Sequence, residues 1–233
     1  KTTTFLILNI INFNMFVKLM DIFGTKTRAL EMYAVFKDVK PVARLGFYPD
    51  EFEAVAQFCE KNGLTLQWSI FKVILTDKYK GYSDRGEKVS INDPNEGMRF
   101  GYISKDPKKA AQAKYFEEVG DRYNLGLTLG YPLCCIEFFE KNYPERSQLD
   151  NDYTEPSFHN SHGNFPFVNN ILMRKRDTTL LFHFPCSFQC PESAKMGMKH
   201  LELLKEADSE LAIKYEQRLK NWFEYSDKDI EFS

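Results

Sequence analysis

The stretch LTLQWSIFKVIL, residues 64–75, decides the fold class. It is rich in aromatic and β-branched side chains, which fit a pleated, half-buried surface, and it reads as a strand. The residues before it, DEFEAVAQFCEKN at 50–62, read as a helix. Asp50 and Glu53 make a capping box, Phe52, Val55, Phe58 and Cys59 recur at helical spacing, and Gly63 stops the helix. After the strand, the polar stretch from Thr76 to Gly97 reads as a loop with a short strand at 87–91. MRFGYISK, 98–105, is a further strand. Asp106 and Pro107 then cap and open a helix that runs to about Arg122.

The C-terminal half predicts a helix from Pro132 to about Asn142, a loop from Tyr143 to Phe165, a helix in FPFVNNILMRKR and a strand in TTLLFHF, 178–184. A long helix from Pro191 to about Tyr225 closes the chain, with Leu201, Leu204, Leu211, Tyr215, Leu219 and Trp222 as its apolar stripe. Strands and helices without strict alternation imply an α+β fold, with a small mixed or antiparallel sheet, several helices and a long C-terminal helix. One domain from residue 15 to 233 is expected. Residues 1–14 read as a non-native or disordered extension, with Met15 or Met20 as the natural start. Asn9, Asn12 and Asn14 interrupt that apolar run, so it makes neither a signal peptide nor a membrane span.

The composition is 43% hydrophobic and 27% charged, with 21 Phe and 12 Tyr, which excludes a disordered chain. Lys plus Arg (31) nearly balance Asp plus Glu (33), so no excess of basic charge points to nucleic acid. The expected partner is a small molecule or a protein, not nucleic acid or a membrane. Without a secretion signal, five cysteines read as reduced thiols in a cytoplasm.

Four of those cysteines fall in two runs, GYPLCCIEFF at 130–139 and HFPCSFQC at 183–190. Proline favours the first position of a helix, so Pro132 and Pro191 each mark a helix start. Tyr131 is then a cap with Cys134 and Cys135 in the opening turn, and Cys190 is itself a cap. Unpaired amides at a helix N-terminus favour a thiolate or an anionic thiolate–metal centre. Successive helical residues point about 100° apart, so one of the doublet is expected at the site. Cys134 is preferred, because Cys135 shares a face with Phe138 and Phe139.

Three thiolates, from the doublet, Cys186 and Cys190, suit an iron–sulfur cluster with one iron open to a substrate. Adding His183 suits tetrahedral zinc. The iron–sulfur cluster is the leading expectation and zinc the alternative. Metal-free thiol redox or transfer, and plain packing of small hydrophobes, stay open. His183 reads equally as a core histidine. Asn169, Asn170, Ser187 and Ser193 are expected to orient a ligand or bond to sulfur. His159 and His162, in SFHNSHGN, read more simply as a solvated loop than as a metal pair. No Ser-His-Asp arrangement, phosphate loop, H-E-x-x-H or dinucleotide fingerprint is present, and no catalytic residue is assigned.

With LGYPLCCIEFF, the Asn pair and HFPCSFQCPES in view, the segment from Leu125 to Met198 resembles an uncharacterised prokaryotic family, best represented in archaea, known as domain of unknown function 483. The resemblance implies that the four cysteines belong together. It implies no reaction.

Overall fold

The computed structural model describes residues 2–76 and 85–220, with side chains from residue 12 onward. The chain divides into two compact units, one formed by residues 31–155 and the other by residues 1–30 and 156–233. Helices combine with two small antiparallel sheets, the α+β class predicted above. Among the described residues no helix is long and apolar enough to cross a membrane.

In the 31–155 unit the central strand is β5 (Arg99–Ser104), flanked by β1 (Ala43–Phe47) and β2 (Thr65–Trp68), all antiparallel. β3 (Phe71–Leu75) pairs with β4 (Gly86–Ser90). The single strand expected at 64–75 is therefore two. The break is at Ser69, which is buried: its hydroxyl donates to Phe71 O at 2.6 Å and accepts from Phe100 N–H at 3.1 Å, so the chain turns without orphaning its polar groups.

The helix α3 (Phe52–Lys61) buries Val55, Phe58 and Cys59 as its periodicity predicts, and Gly63 follows it at φ +65°. Its entry differs from the expected capping box. A 3-10 turn at Pro49–Glu51 precedes it, and Glu51 accepts from Tyr48 N–H. α4 (Pro107–Glu118) starts as predicted, with Asp106 Oδ1 accepting from Lys108 N–H at 2.9 Å. It stops short of Arg122, because Gly120 at φ +76° ends it and Asp121 caps a new helix, α5 (Arg122–Thr128). α4 lies against β5 and β2, with Val42, Tyr102, Ala113 and Leu129 as the shared core. The cysteine helix α6 (Leu133–Leu149) runs seven residues past its expected end, carrying Pro144 inside it.

In the other unit, α1 (Thr2–Phe23) buries Phe16, Leu19 and Phe23 and packs on α8 (Pro191–Ala207). α2 (Lys26–Phe36) begins here, its first amides held by Asp177: Lys26 N–H and Thr27 N–H donate to Oδ2 and Oδ1 at 2.8 and 2.9 Å. The loop expected at 143–165 contains α7 (Thr154–His159). The helix expected at 165–176 is two 3-10 turns, Phe167–Asn169 and Leu172–Arg176.

The strand expected at 178–184 does not form. Thr179 Oγ1 accepts from Leu181 N–H at 3.2 Å, and His200 Nδ1 bonds Leu180 O at 2.7 Å, so side chains take the place of a ladder partner while Leu180 and Leu181 still bury their apolar groups. The closing helix breaks at Asp208, extended at φ −153°, whose carboxylate accepts from Leu211 N–H to start α9 (Ser209–Lys220). Leu201, Leu204, Tyr215 and Leu219 are buried, and Trp222 lies outside the described residues.

Gly197 lets α8 approach the first 3-10 turn closely. A Cβ there would lie 2.9 Å from Val168 Cβ and 3.0 Å from Val168 O. Glycine to alanine in a helix ordinarily gains up to about 1 kcal/mol. Here the contact with a backbone carbonyl outweighs that gain, and Gly197→Ala is expected to cost about 1–3 kcal/mol as overpacking. Thermal unfolding checks this; a Tm at or above wild type would contradict the close packing.

Candidate metal centre

Each cysteine pair is held by a local device. Before α6, Gly130 adopts φ +80°, where an added Cβ would meet Pro41 Cδ at 2.8 Å, so glycine is required twice over. Lys40 Nζ donates to Leu129 O at 2.9 Å and lies 4.5 Å from the centre of the Tyr131 ring. Its charge faces Glu31 at 3.5 Å, both side chains being almost wholly buried. Burial raises the Glu31 carboxyl and lowers the Lys40 ammonium, with each partner's charge opposing the shift of the other. The N-cap of α6 is Pro132 rather than Tyr131, because its ψ of 138° is still extended while its carbonyl already accepts from Cys135 and Ile136 N–H. Cys134 and Cys135 follow in the opening turn, the first partly exposed and the second buried.

Cys190 is the N-cap of α8, as Pro191 implied. Its Sγ accepts from Ser193 N–H at 3.5 Å, where a sulfur meets the unpaired amides of a helix start. Ser193 Oγ is 2.8 Å from His183 Nε2. The turn leading to Cys190 is bonded closely from the segment read earlier for its histidines. Ser157 Oγ donates to Pro185 O at 2.6 Å, Asn160 Nδ2 to Cys186 O at 3.0 Å, and Ser161 Oγ accepts from Phe188 N–H at 2.7 Å. Ser187 contributes its carbonyl, which accepts from Cys190 N–H.

Asn169 and Asn170 are both buried but serve different ends. Asn169 Nδ2 donates to Phe188 O at 3.0 Å and Cys190 O at 2.9 Å, whereas Asn170 Nδ2 donates to Leu219 O at 3.0 Å. Asn169 Oδ1 is buried with no hydrogen-bond partner among the described residues. An unmade buried acceptor of this kind costs about 1–3 kcal/mol.

The Sγ atoms of Cys134, Cys135, Cys186 and Cys190 all lie within 4.8 Å of one another, a group that could hold a metal ion. Cys134 Sγ and Cys135 Sγ are 3.9 Å apart. Both sulfurs of the doublet therefore belong to the group, although their positions on the helix diverge. Among the described residues the group contains no histidine: His183, expected as a zinc ligand, meets Ser193 Oγ, and His162 meets Gln189 through its backbone. Cys59 stands apart on α3, and burial pushes its thiol up to about 12, the behaviour of an inert core cysteine.

The doublet, Cys186 and Cys190 were legible as one set. Ser157, Asn160 and Ser161, which bond the 185–190 turn, and Lys40, which bonds Leu129 O ahead of α6, were not, since nothing in ordinary polar residues announces such partners. The chain matches no protein-family model, no curated protein and no solved structure.

Proposed function

We propose that Cys134, Cys135, Cys186 and Cys190 hold a single metal ion, zinc, in a closed four-thiolate shell, and that the protein is a non-enzymatic module fastened by this ion. The observation that carries the reading is the compactness of the sulfur group. A zinc–thiolate bond of about 2.3 Å places the sulfurs of a regular tetrahedron about 3.8 Å apart, and the doublet stands at 3.9 Å within a group spanning at most 4.8 Å. In an iron–sulfur cluster, thiolates on different irons are separated by the metal–metal distance as well as by their own bonds, and spread wider. Four sulfurs also close the shell that three would leave open. Retention of zinc by reduced thiols suits a cytoplasmic setting. The family resemblance supplies no reaction, and nothing in the reading depends on it.

The test is metal and acid-labile sulfide analysis with a visible spectrum, on protein purified without oxygen, alongside Cys134→Ser and Cys190→Ser. About one zinc per chain, without sulfide or a visible band and lost or weakened in both variants, is expected. Iron with sulfide would replace zinc by an iron–sulfur cluster. Folded protein without metal would leave thiol chemistry or packing as the role of the cysteines.

A further inference from the structure

We infer that Asn169, seconded by Asn160, is a positioning residue of this centre: it presets the Pro185–Cys190 turn so that Cys186 and Cys190 present their sulfurs before metal arrives. The inference rests on the four-thiolate reading above and adds how the chain prepares half of the shell. Two main-chain carbonyls of the turn, Phe188 O and Cys190 O, are accepted targets of one amide nitrogen. Both are acceptors, so the network itself fixes which end of the carboxamide faces them. A single group with two hydrogens is needed: a hydroxyl supplies one and a carboxylate none.

The two bonds hold the Phe188–Gln189 and Cys190–Pro191 peptide planes, which bracket Gln189 and Cys190, and so the direction in which Cys190 leaves the turn. Asn160 does the same for the carbonyl of Cys186. The orphaned Oδ1 argues in the same sense. A residue chosen for stability alone would not keep an unmet acceptor in the core, where an apolar side chain of the same branching, such as leucine, leaves none. What the amide provides in return is the geometry of the cysteine turn. Asn170 supplies an internal comparison, being adjacent, equally buried and bonded elsewhere.

The experiment is titration of metal-free protein with cobalt(II), reading the thiolate charge-transfer and d–d bands and the dissociation constant, in wild type, Asn169→Asp, Asn170→Asp and Asn160→Ala. Asn169→Asp keeps the shape and removes both donors. It is expected to weaken cobalt binding about 10–100-fold, the usual cost of losing a group that orients a metal ligand, and to shift the charge-transfer band. Asn170→Asp is expected to lower thermal stability while keeping the band and an affinity within about threefold of wild type, well short of that loss. Asn160→Ala, at an exposed side chain, is expected to weaken binding in the same direction by a smaller factor. Wild-type affinity and spectrum in Asn169→Asp, or an equal loss in Asn170→Asp, would overturn the inference. If Asn169→Asp does not fold, unchanged binding in Asn160→Ala would overturn it. A wild-type chain that binds no cobalt would instead remove the metal reading on which the inference stands.

Discussion

Stripping the metal from the purified protein with a strong chelator is expected to lower its melting temperature by about 8–16 °C. In the proposed centre the ion would cross-link positions about fifty residues apart in the chain, Cys134 and Cys135 to Cys186 and Cys190. Closing a loop of that length removes roughly 4 kcal/mol of chain entropy from the unfolded state. Each kcal/mol moves Tm by about 2–4 °C in a chain of this size. Zinc returned in excess should restore the transition. Because thiolate ligands must be deprotonated, the metal-dependent part of the stability should vanish first on the acid side, as protons compete for sulfur. Calorimetry with and without chelator checks the expectation; a shift under about 2 °C would be too small for an ion in this position.

Lys40→Met is expected to destabilise the protein by about 3–5 kcal/mol, the other large effect. The ammonium is nearly fully buried beside Glu31 and donates to Leu129 O, so its loss leaves a carboxylate uncompensated in the core and a carbonyl without its donor. Burial already pushes the Glu31 carboxyl upward, and the Lys40 charge opposes that push. Removing both charges is a different matter. Glu31→Leu with Lys40→Met replaces the pair by apolar groups and should recover much of the loss. Urea denaturation of the three chains measures this. A single variant within about 1 kcal/mol of wild type would show that the pair is better hydrated than its burial implies.

The readable parts of this chain are those where one residue's stereochemistry decides the local backbone. Pro191 fixes the first position of α8 and so makes Cys190 a cap, Asp106 with Pro107 opens α4, and Gly63 closes α3. The missed parts are those where a side chain substitutes for regular backbone bonding. Thr179 and His200 satisfy a segment whose composition alone reads as strand. Pro144 continues a helix that its local rule would end, and Asp208 stops one that apolar periodicity carries onward.

At the cysteine group, spacing and proline placement made the set legible. The doublet was harder. An argument from helical angle alone allots one sulfur to an ion, but two side chains in an opening turn can converge to 3.9 Å by rotation about their own bonds. The histidines of SFHNSHGN read as part of a solvated loop rather than as a metal pair. The bonds run from Ser157, Asn160 and Ser161 around them, and only the folded turn shows why.

The most direct measurement of the central claim is X-ray absorption at the edge of the metal that copurifies with the protein. A zinc edge with a first shell of four sulfurs at about 2.3 Å and no metal scatterer beyond it is expected. Nitrogen or oxygen in that shell would contradict a four-thiolate centre by bringing His183 or solvent to the ion. An iron edge with a neighbouring iron would contradict the single ion itself.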